Sequence, residues 1–272
     1  LWCESFTIDL AEGFLELGKY RIHYAHWGEK GSKIVILHSM GMDAYSMESL
    51  CDSLSGRHRV LALTILAHGD SSVPAEPVPL PEHAELLRTC YKRLDYTPCI
   101  LIGHSIGGRM GMILAAEHPD EVKGLILVDI APPDLVSRPW TQLAPTELRN
   151  EADARAYLKQ RYPGFAEEYV ENRLKHGFIR QPDGALRLKP TGSPTMTSYF
   201  TDLWPYVERI KAPTKLILGS ESQLVTPEKR ERMAKLLPGL EIVTVYGASH
   251  MVPQDKPADF EKEVVSFLKK ID

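Results

Sequence analysis

Ser105 stands in Gly103-His104-Ser105-Ile106-Gly107-Gly108, directly after the apolar run Cys99–Ile102 and before a helical pattern. A serine with glycines two before and two after it, on a strand-to-helix turn, has the sequence of a nucleophile elbow. The glycines let strand and helix approach closely around a strained turn. The hydroxyl is then exposed at the strand's end, with the Ile106 N–H aimed at a developing oxyanion. The competing reading, a glycine-rich turn with an incidental serine, has the flanking strand and helix patterns against it. A serine hydroxyl is a weak nucleophile without a base. His250, in Gly247-Ala248-Ser249-His250, lies between the last apolar run and the last helical pattern, and it follows Ser105 in chain order. His104 precedes the nucleophile and His118 closes a helix before Pro119, so both are read as packing or capping residues. His68 competes by residue type alone.

The acid that would orient this base is harder to find. The loop after Leu216–Leu218 reads Gly219-Ser220-Glu221-Ser222, with Ser222 where a triad aspartate most often stands. A neutral hydroxyl can orient an imidazole but cannot stabilise the imidazolium electrostatically. Two carboxylates remain. Asp129 ends a strand in Val128-Asp129-Ile130-Ala131-Pro132, at the carboxyl edge where catalytic groups gather. Glu221 is one position early in the late loop. Asp129 is favoured, against a structural role in capping or loop bracing; Glu221, or no acid at all, stays open. The second oxyanion donor is expected after the run Ile34–Leu37, in His38-Ser39-Met40-Gly41, at the Met40 N–H.

These groups need a scaffold that gathers strand ends. Short, nearly all-apolar runs at Ile34–Leu37, Val60–Ile65, Cys99–Ile102, Leu125–Val128, Leu216–Leu218 and Ile242–Val245 read as strands buried on both faces. Helical patterns separate them, at Tyr45–Leu54, Pro81–Leu94, Ser105–Glu117, Pro227–Leu237 and Pro257–Lys270. Before them, Gly13–Leu17 and Lys19–Trp27 read as an antiparallel hairpin with one wet face. The alternation predicts an α/β protein with a doubly wound, mostly parallel eight-stranded sheet. The rhythm breaks after the sixth strand. From Pro132 to Ala212 there are helical patterns at Glu151–Arg161, Phe165–His176 and Thr195–Leu203, and a turn at Gln181-Pro182-Asp183-Gly184. This predicts a helical cap over 132–212, inserted into a core of 1–131 and 213–272. Trp140, Phe165, Tyr169, Phe178, Tyr199, Phe200 and Trp204 are candidates to line an apolar pocket there.

The 272 residues are 43% hydrophobic and 25% charged with a net charge of −4, an ordinary globular composition. No basic arm offers itself to nucleic acid, and no apolar run approaches the ~20 residues of a membrane span. Cys3, Cys51, Cys90 and Cys99 lack metal-ligand spacing, and His23 and His26 point to opposite faces of a strand. No metal, cofactor or disulfide framework is expected, and the location is read as cytoplasmic.

Gly103–Gly108, Val128-Asp129-Ile130-Ala131-Pro132-Pro133, Gly219-Ser220-Glu221-Ser222-Gln223-Leu224-Val225 and Gly247–His250 together resemble the carboxylesterase branch of the α/β-hydrolases. That branch includes small bacterial acyl esterases and their mitochondrial homologues. The resemblance runs from about Tyr24 to the C-terminus and is weakest in the insertion. The elbow and final histidine are shared by the whole superfamily; the Asp-Ile-Ala-Pro and Ser-Gln-Leu-Val segments are more specific. It implies Ser105, His250 and Asp129 as the triad, because these esterases also carry serine at the position of Ser222. Three residues depart from the branch: Ser39 where relatives usually have glycine, and Thr64 and Leu66 where they have aspartate and arginine. A serine narrows the backbone choices of the oxyanion loop. Thr64 and Leu66 are expected to remove polar anchoring and to leave a drier pocket.

The expected activity is therefore that of a serine carboxylesterase, acting on a short- to medium-chain acyl or aryl ester through an acyl-enzyme on Ser105. Lactonase, thioesterase or C–C hydrolase chemistry on the same machinery is the alternative. The C–C reading is weakened by Met251, where tryptophan often follows the histidine. A lyase, or a non-hydrolytic ligand-binding member, is a further alternative that an intact Ser105–His250 pair disfavours.

Overall fold

A computed structural model describes residues 11–133, 147–192 and 201–271. The chain opens with the hairpin β1 (Ala11–Leu17) and β2 (Tyr20–Trp27), turning at Gly18 with φ 62°. The expected wet face is present on β1, at Glu12, Phe14 and Glu16, and reaches β2 at Arg21. Further along β2, His23, Ala25 and Trp27 are buried, the latter two under Tyr45, Met47 and Leu50. On β2 the polar–apolar alternation overstates exposure, because Tyr45, Met47 and Leu50 cover the Ala25–Trp27 end of that face.

β3 (Lys33–Leu37) leads through a short 3₁₀ turn at Ala44–Met47 into α1 (Glu48–Ser55) and β4 (Arg59–Leu63). There follow α2 (Leu80–Arg93), β5 (Cys99–His104), α3 (Ile106–Glu117) and β6 (Val122–Val128). The insertion contains β7 (Glu147–Leu148), α4 (Glu151–Arg161), α5 (Glu167–His176), β8 (Phe178–Arg180) and β9 (Leu186–Leu188). After α6 (Trp204–Val207), the core resumes with β10 (Thr214–Gly219), α7 (Pro227–Leu236), β11 (Glu241–Val245), α8 (Val252–Asp255) and α9 (Pro257–Ile271). Local chemistry sets several boundaries. The Asn150 side chain accepts the Asp153 N–H to cap α4, and Thr226 does the same for Lys229 ahead of Pro227 in α7.

The main sheet has eight strands in the order β1-β2-β4-β3-β5-β6-β10-β11. β2 is antiparallel to both neighbours, and the other pairs are parallel. One face packs on α2, α3 and α7 through Leu87, Met110, Leu114 and Met233. The other packs on α1 and α9 through Leu50, Phe260, Val264 and Phe267. The all-apolar central strands are the consequence of this double cover. β11 departs from its expected two-sided burial: as the sheet edge it leaves Ile242 and Thr244 exposed.

The insertion is not purely helical. It holds an antiparallel three-stranded sheet in the order β7-β9-β8, closed by the Gln181–Gly184 turn with Gly184 at φ 89°. Strands of two or three residues carry no legible period, so the sequence shows only their turn. Ala154, Leu158, Val170, Leu174, Phe178 and Leu186 form a separate small core. Of the helix expected near Thr195–Leu203, residues 195–200 lie outside the described residues. Among the described residues, no helix is long and apolar enough to cross a membrane.

Candidate active site

Six neighbouring strands, β4, β3, β5, β6, β10 and β11, send their carboxyl-terminal loops to one edge of the sheet. Ser105 follows β5 with φ 52° and ψ −115°, a left-handed geometry that a non-glycine residue holds only under strain of about 1–3 kcal/mol. The neighbouring glycines explain how the turn closes. A Cβ on Gly103 would lie 2.6 Å from Gly107 O, and one on Gly107 would lie 2.2 Å from Leu37 O. The elbow is tied sideways, by Ser105 N–H to Val128 O (3.1 Å) and Gly107 N–H to His38 O (3.2 Å).

Asp129 leaves the end of β6 with φ 46°, and its carboxylate is 1% exposed. Oδ1 accepts the Gly219 N–H at 3.1 Å, and Oδ2 accepts His250 Nδ1–H at 2.7 Å. The Ser222 hydroxyl donates to the same Oδ2. Ser222 therefore braces the carboxylate rather than the imidazole. Glu221, the other candidate acid, is exposed, and among the described residues its N–H donates to Ala248 O. His250 comes close to the elbow through its predecessor: His104 Nε2–H donates to the His250 carbonyl at 2.8 Å, with ring centroids 5.0 Å apart. Because a carbonyl only accepts, this bond fixes the His104 tautomer. Burial holds His104 neutral far below its ordinary titration range.

The loop after β3 carries Met40. Among the described residues, neither the Met40 nor the Ile106 N–H donates to an acceptor. His38 holds the start of this loop. Its Nδ1–H donates to Ser39 O at 2.7 Å, and its Nε2 accepts the Ile65 N–H at 2.9 Å. Burial lowers the His38 pKa to about 4, so the ring is neutral, as an accepting Nε2 requires. Ser39 is compatible with the loop because Gly41, with φ 82°, takes the left-handed position instead. Thr64 and Leu66 do not behave as expected. Thr64 Oγ1 accepts the Ala44 N–H and bonds His23 Nδ1, which preserves polar anchoring, and Leu66 packs in the core. Both are at most 2% exposed, so neither forms part of an open pocket wall.

A family model described as alpha/beta hydrolase fold matches residues 33–257. The chain belongs to the α/β-hydrolase fold family. It is 29% identical over 251 residues to 2-(acetamidomethylene)succinate hydrolase of Mesorhizobium japonicum, covering 88% of this chain and 90% of that protein. It is also 29% identical to the sn-1-specific diacylglycerol lipase ABHD11 of Mus musculus, over 86% of this chain and 80% of that one. The crystal structure of E-2-(acetamidomethylene)succinate hydrolase shares the fold, with a TM-score of 0.83 and 22% identity over 96% of this chain and 99% of that chain.

Within this hydrolase fold, the insertion is fixed to the site's surroundings at two places. Residues 189–192 dock on the loop after β4: Gly69 N–H donates to Pro190 O, Gly192 N–H to Ala67 O, and Lys189 pairs with Asp70 at 2.6 Å. α5 docks on the loop after β3. There Arg173 Nη1 meets Asp43 Oδ2 at 2.5 Å, both side chains being almost fully buried. Burial alone would raise the Asp43 pKa, but the Arg173 charge and hydrogen bond, with His38 nearby, hold it down to about 2. Sequence reasoning missed this pair. Arg173 sits on a polar helix, and no local spacing connects it to a residue 130 positions earlier.

The described aromatic candidates for a pocket mostly hold the molecule together. Tyr169 is buried, Phe178 belongs to the insertion's core, and Phe165 stacks on Tyr162. Trp204 packs on the main core beneath Arg232. Trp140, Tyr199 and Phe200 lie outside the described residues. Cys51, Cys90 and Cys99 are buried free thiols, and His118 pairs with Glu85. Among the described residues, no group of three or more His, Cys, Asp or Glu side chains could hold a metal ion.

Proposed function

We propose that this protein is a serine carboxylesterase that hydrolyses short- to medium-chain acyl or aryl esters through an acyl-enzyme on Ser105. The observation that carries the reading is the buried Asp129 carboxylate bonded to His250 Nδ1 at 2.7 Å, beside the strained elbow. With Nδ1–H committed to Asp129, His250 Nε2 is the free base. It takes the Ser105 proton as Oγ attacks the ester carbonyl. The Ile106 and Met40 N–H groups receive the oxyanion, and Asp129 stabilises the imidazolium. Collapse expels the alcohol, which takes the proton from Nε2. Water then repeats the sequence on the acyl-enzyme, and the acid leaves. No cofactor enters this scheme. The relatives named as a hydrolase and a lipase support the class of reaction.

A fluorophosphonate probe is expected to label Ser105, and p-nitrophenyl esters of graded chain length to turn over. Ser105→Ala should abolish labelling and lower kcat by ~10⁵–10⁶. An unlabelled, inactive wild-type protein would overturn the reading and favour a ligand-binding member of the family. The 29% identical relative favours one second reading, in which the same serine acts on a substrate bearing carboxylate and acetamido groups. Assaying 2-(acetamidomethylene)succinate beside the ester series separates the two.

A further inference from the structure

We infer that Arg173, carried by the insertion, is a positioning residue for the oxyanion-binding loop: its buried pair with Asp43 fixes the backbone that presents the Met40 N–H. The inference rests on Ser105 being the nucleophile. The loop from Ser39 to Asp43 has little internal structure to hold it. It contains one backbone turn bond, Met42 N–H to Ser39 O at 3.1 Å, a left-handed Gly41, and a Ser39 hydroxyl with no partner among the described residues. Its start is held by the His38 ring, and its end is held by Asp43. Oδ1 of that carboxylate accepts the Tyr45 N–H at 3.0 Å, starting the next helical turn, and Oδ2 takes Arg173 Nη1. Nη2 of the same guanidinium reaches towards the Gly41 carbonyl at 3.5 Å. A single planar group from another part of the chain thus contacts both Gly41 and Asp43, immediately after Met40.

The seat is built for a guanidinium. A Cβ on Gly177 would lie 2.6 Å from Arg173 Nη2, so a side chain there would intrude on it. A lysine ammonium can supply the charge to Asp43 but not the second, fixed prong. Catalytic geometry is sensitive at this scale: a displacement of about 1 Å can cost ~10²-fold in rate, similar to losing an oxyanion donor. Neighbours on α5 provide an internal comparison. Asn172 Nδ2 donates to Tyr45 O (3.0 Å) and Glu48 Oε2 (2.8 Å), so it holds the insertion to the residues after the loop and not to the loop itself.

The test measures kcat and KM on a p-nitrophenyl ester, together with the inhibition constant of a boronic acid that mimics the tetrahedral intermediate. Wild type, Arg173→Met, Arg173→Lys and Asn172→Ala are compared at a temperature where circular dichroism shows each folded. Arg173→Met should lower kcat by ~10²-fold and weaken the boronic acid equally, with KM changed by less than ~3-fold; Arg173→Lys should fall between it and wild type. Asn172→Ala should retain kcat within ~3-fold even where it lowers Tm. Wild-type kcat in Arg173→Met overturns the inference, as does an equal kcat loss in Asn172→Ala; both leave the esterase reading intact. If Arg173→Met does not fold, Arg173→Lys takes its place: wild-type kcat and inhibitor affinity in that variant would overturn the inference. A wild-type protein that neither labels nor turns over overturns the esterase reading, and this inference with it.

Discussion

Two buried carboxylates stand on strand-end loops at the same edge of the sheet, and they have opposite partners. Asp129 faces His250, whose side chain is 28% exposed. Asp43 faces Arg173, a permanent cation with 5% of its side chain exposed. A carboxylate paired with a titratable, accessible group is placed to stabilise a charge that comes and goes. A carboxylate paired with a buried guanidinium carries a fixed charge and serves as a brace. Burial alone therefore does not single out a candidate acid; the partner does.

The largest effect expected from this contrast is on activity. Asp129→Asn should lower kcat by ~10²–10⁴ through loss of imidazole orientation and imidazolium stabilisation. If Glu221→Gln shows that loss instead, the assignment of the acid moves to Glu221. Asp43→Asn should appear first in stability. It leaves the Arg173 charge buried without its partner, a change that costs about 3–5 kcal/mol in comparable buried pairs. Urea unfolding of the two variants should therefore rank them in the reverse order from kinetics. Equal stability losses would erase the distinction.

Acid titration extends the contrast. The folded Asp43 pKa, about 2, lies below its ordinary value of 3.8, so the pair's contribution is complete above pH ~4 and lost as pH falls through ~2. That contribution is on the order of 2 kcal/mol. Histidines act earlier. Burial lowers His38 to about 4, His68 to about 3 and His83 to about 4. Their neutral forms stabilise the fold above pH ~6.5, and this is lost progressively as pH falls towards ~4. Unfolding free energy measured from pH 7 to pH 3 should decline first in the histidine window. His83→Leu should flatten that decline, because the His83 Nε2 has no hydrogen-bond partner among the described residues. A flat profile between pH 7 and pH 5 would contradict the assignment. The smallest effect belongs to Ser222→Ala. It removes one hydrogen bond from Asp129 Oδ2 but leaves His250 in place, so kcat should fall by no more than ~10-fold.

Much of the fold was legible because its signals are local. The apolar runs Ile34–Leu37 and Cys99–Ile102 lie within β3 and β5, and α4 spans Glu151–Arg161 as its helical pattern indicates. A buried parallel strand and a capped helix each write their period into consecutive residues. β11 and the β2 half of the hairpin were read less well, since exposure depends on what another segment lays across a face. The short strands β7, β8 and β9 had no period to read.

For the site, residue type and spacing single out Ser105 and His250 as candidates, and leave the acid between Asp129, Glu221 and none. They suffice where a motif is contiguous. The folded chain was needed to show that the Asp129 carboxylate meets His250 while Ser222 braces it, and that Thr64 keeps its loop anchored. It alone joined Arg173 to Asp43. Those contacts join residues far apart in the chain, and their energies depend on distance and burial, which no linear pattern records.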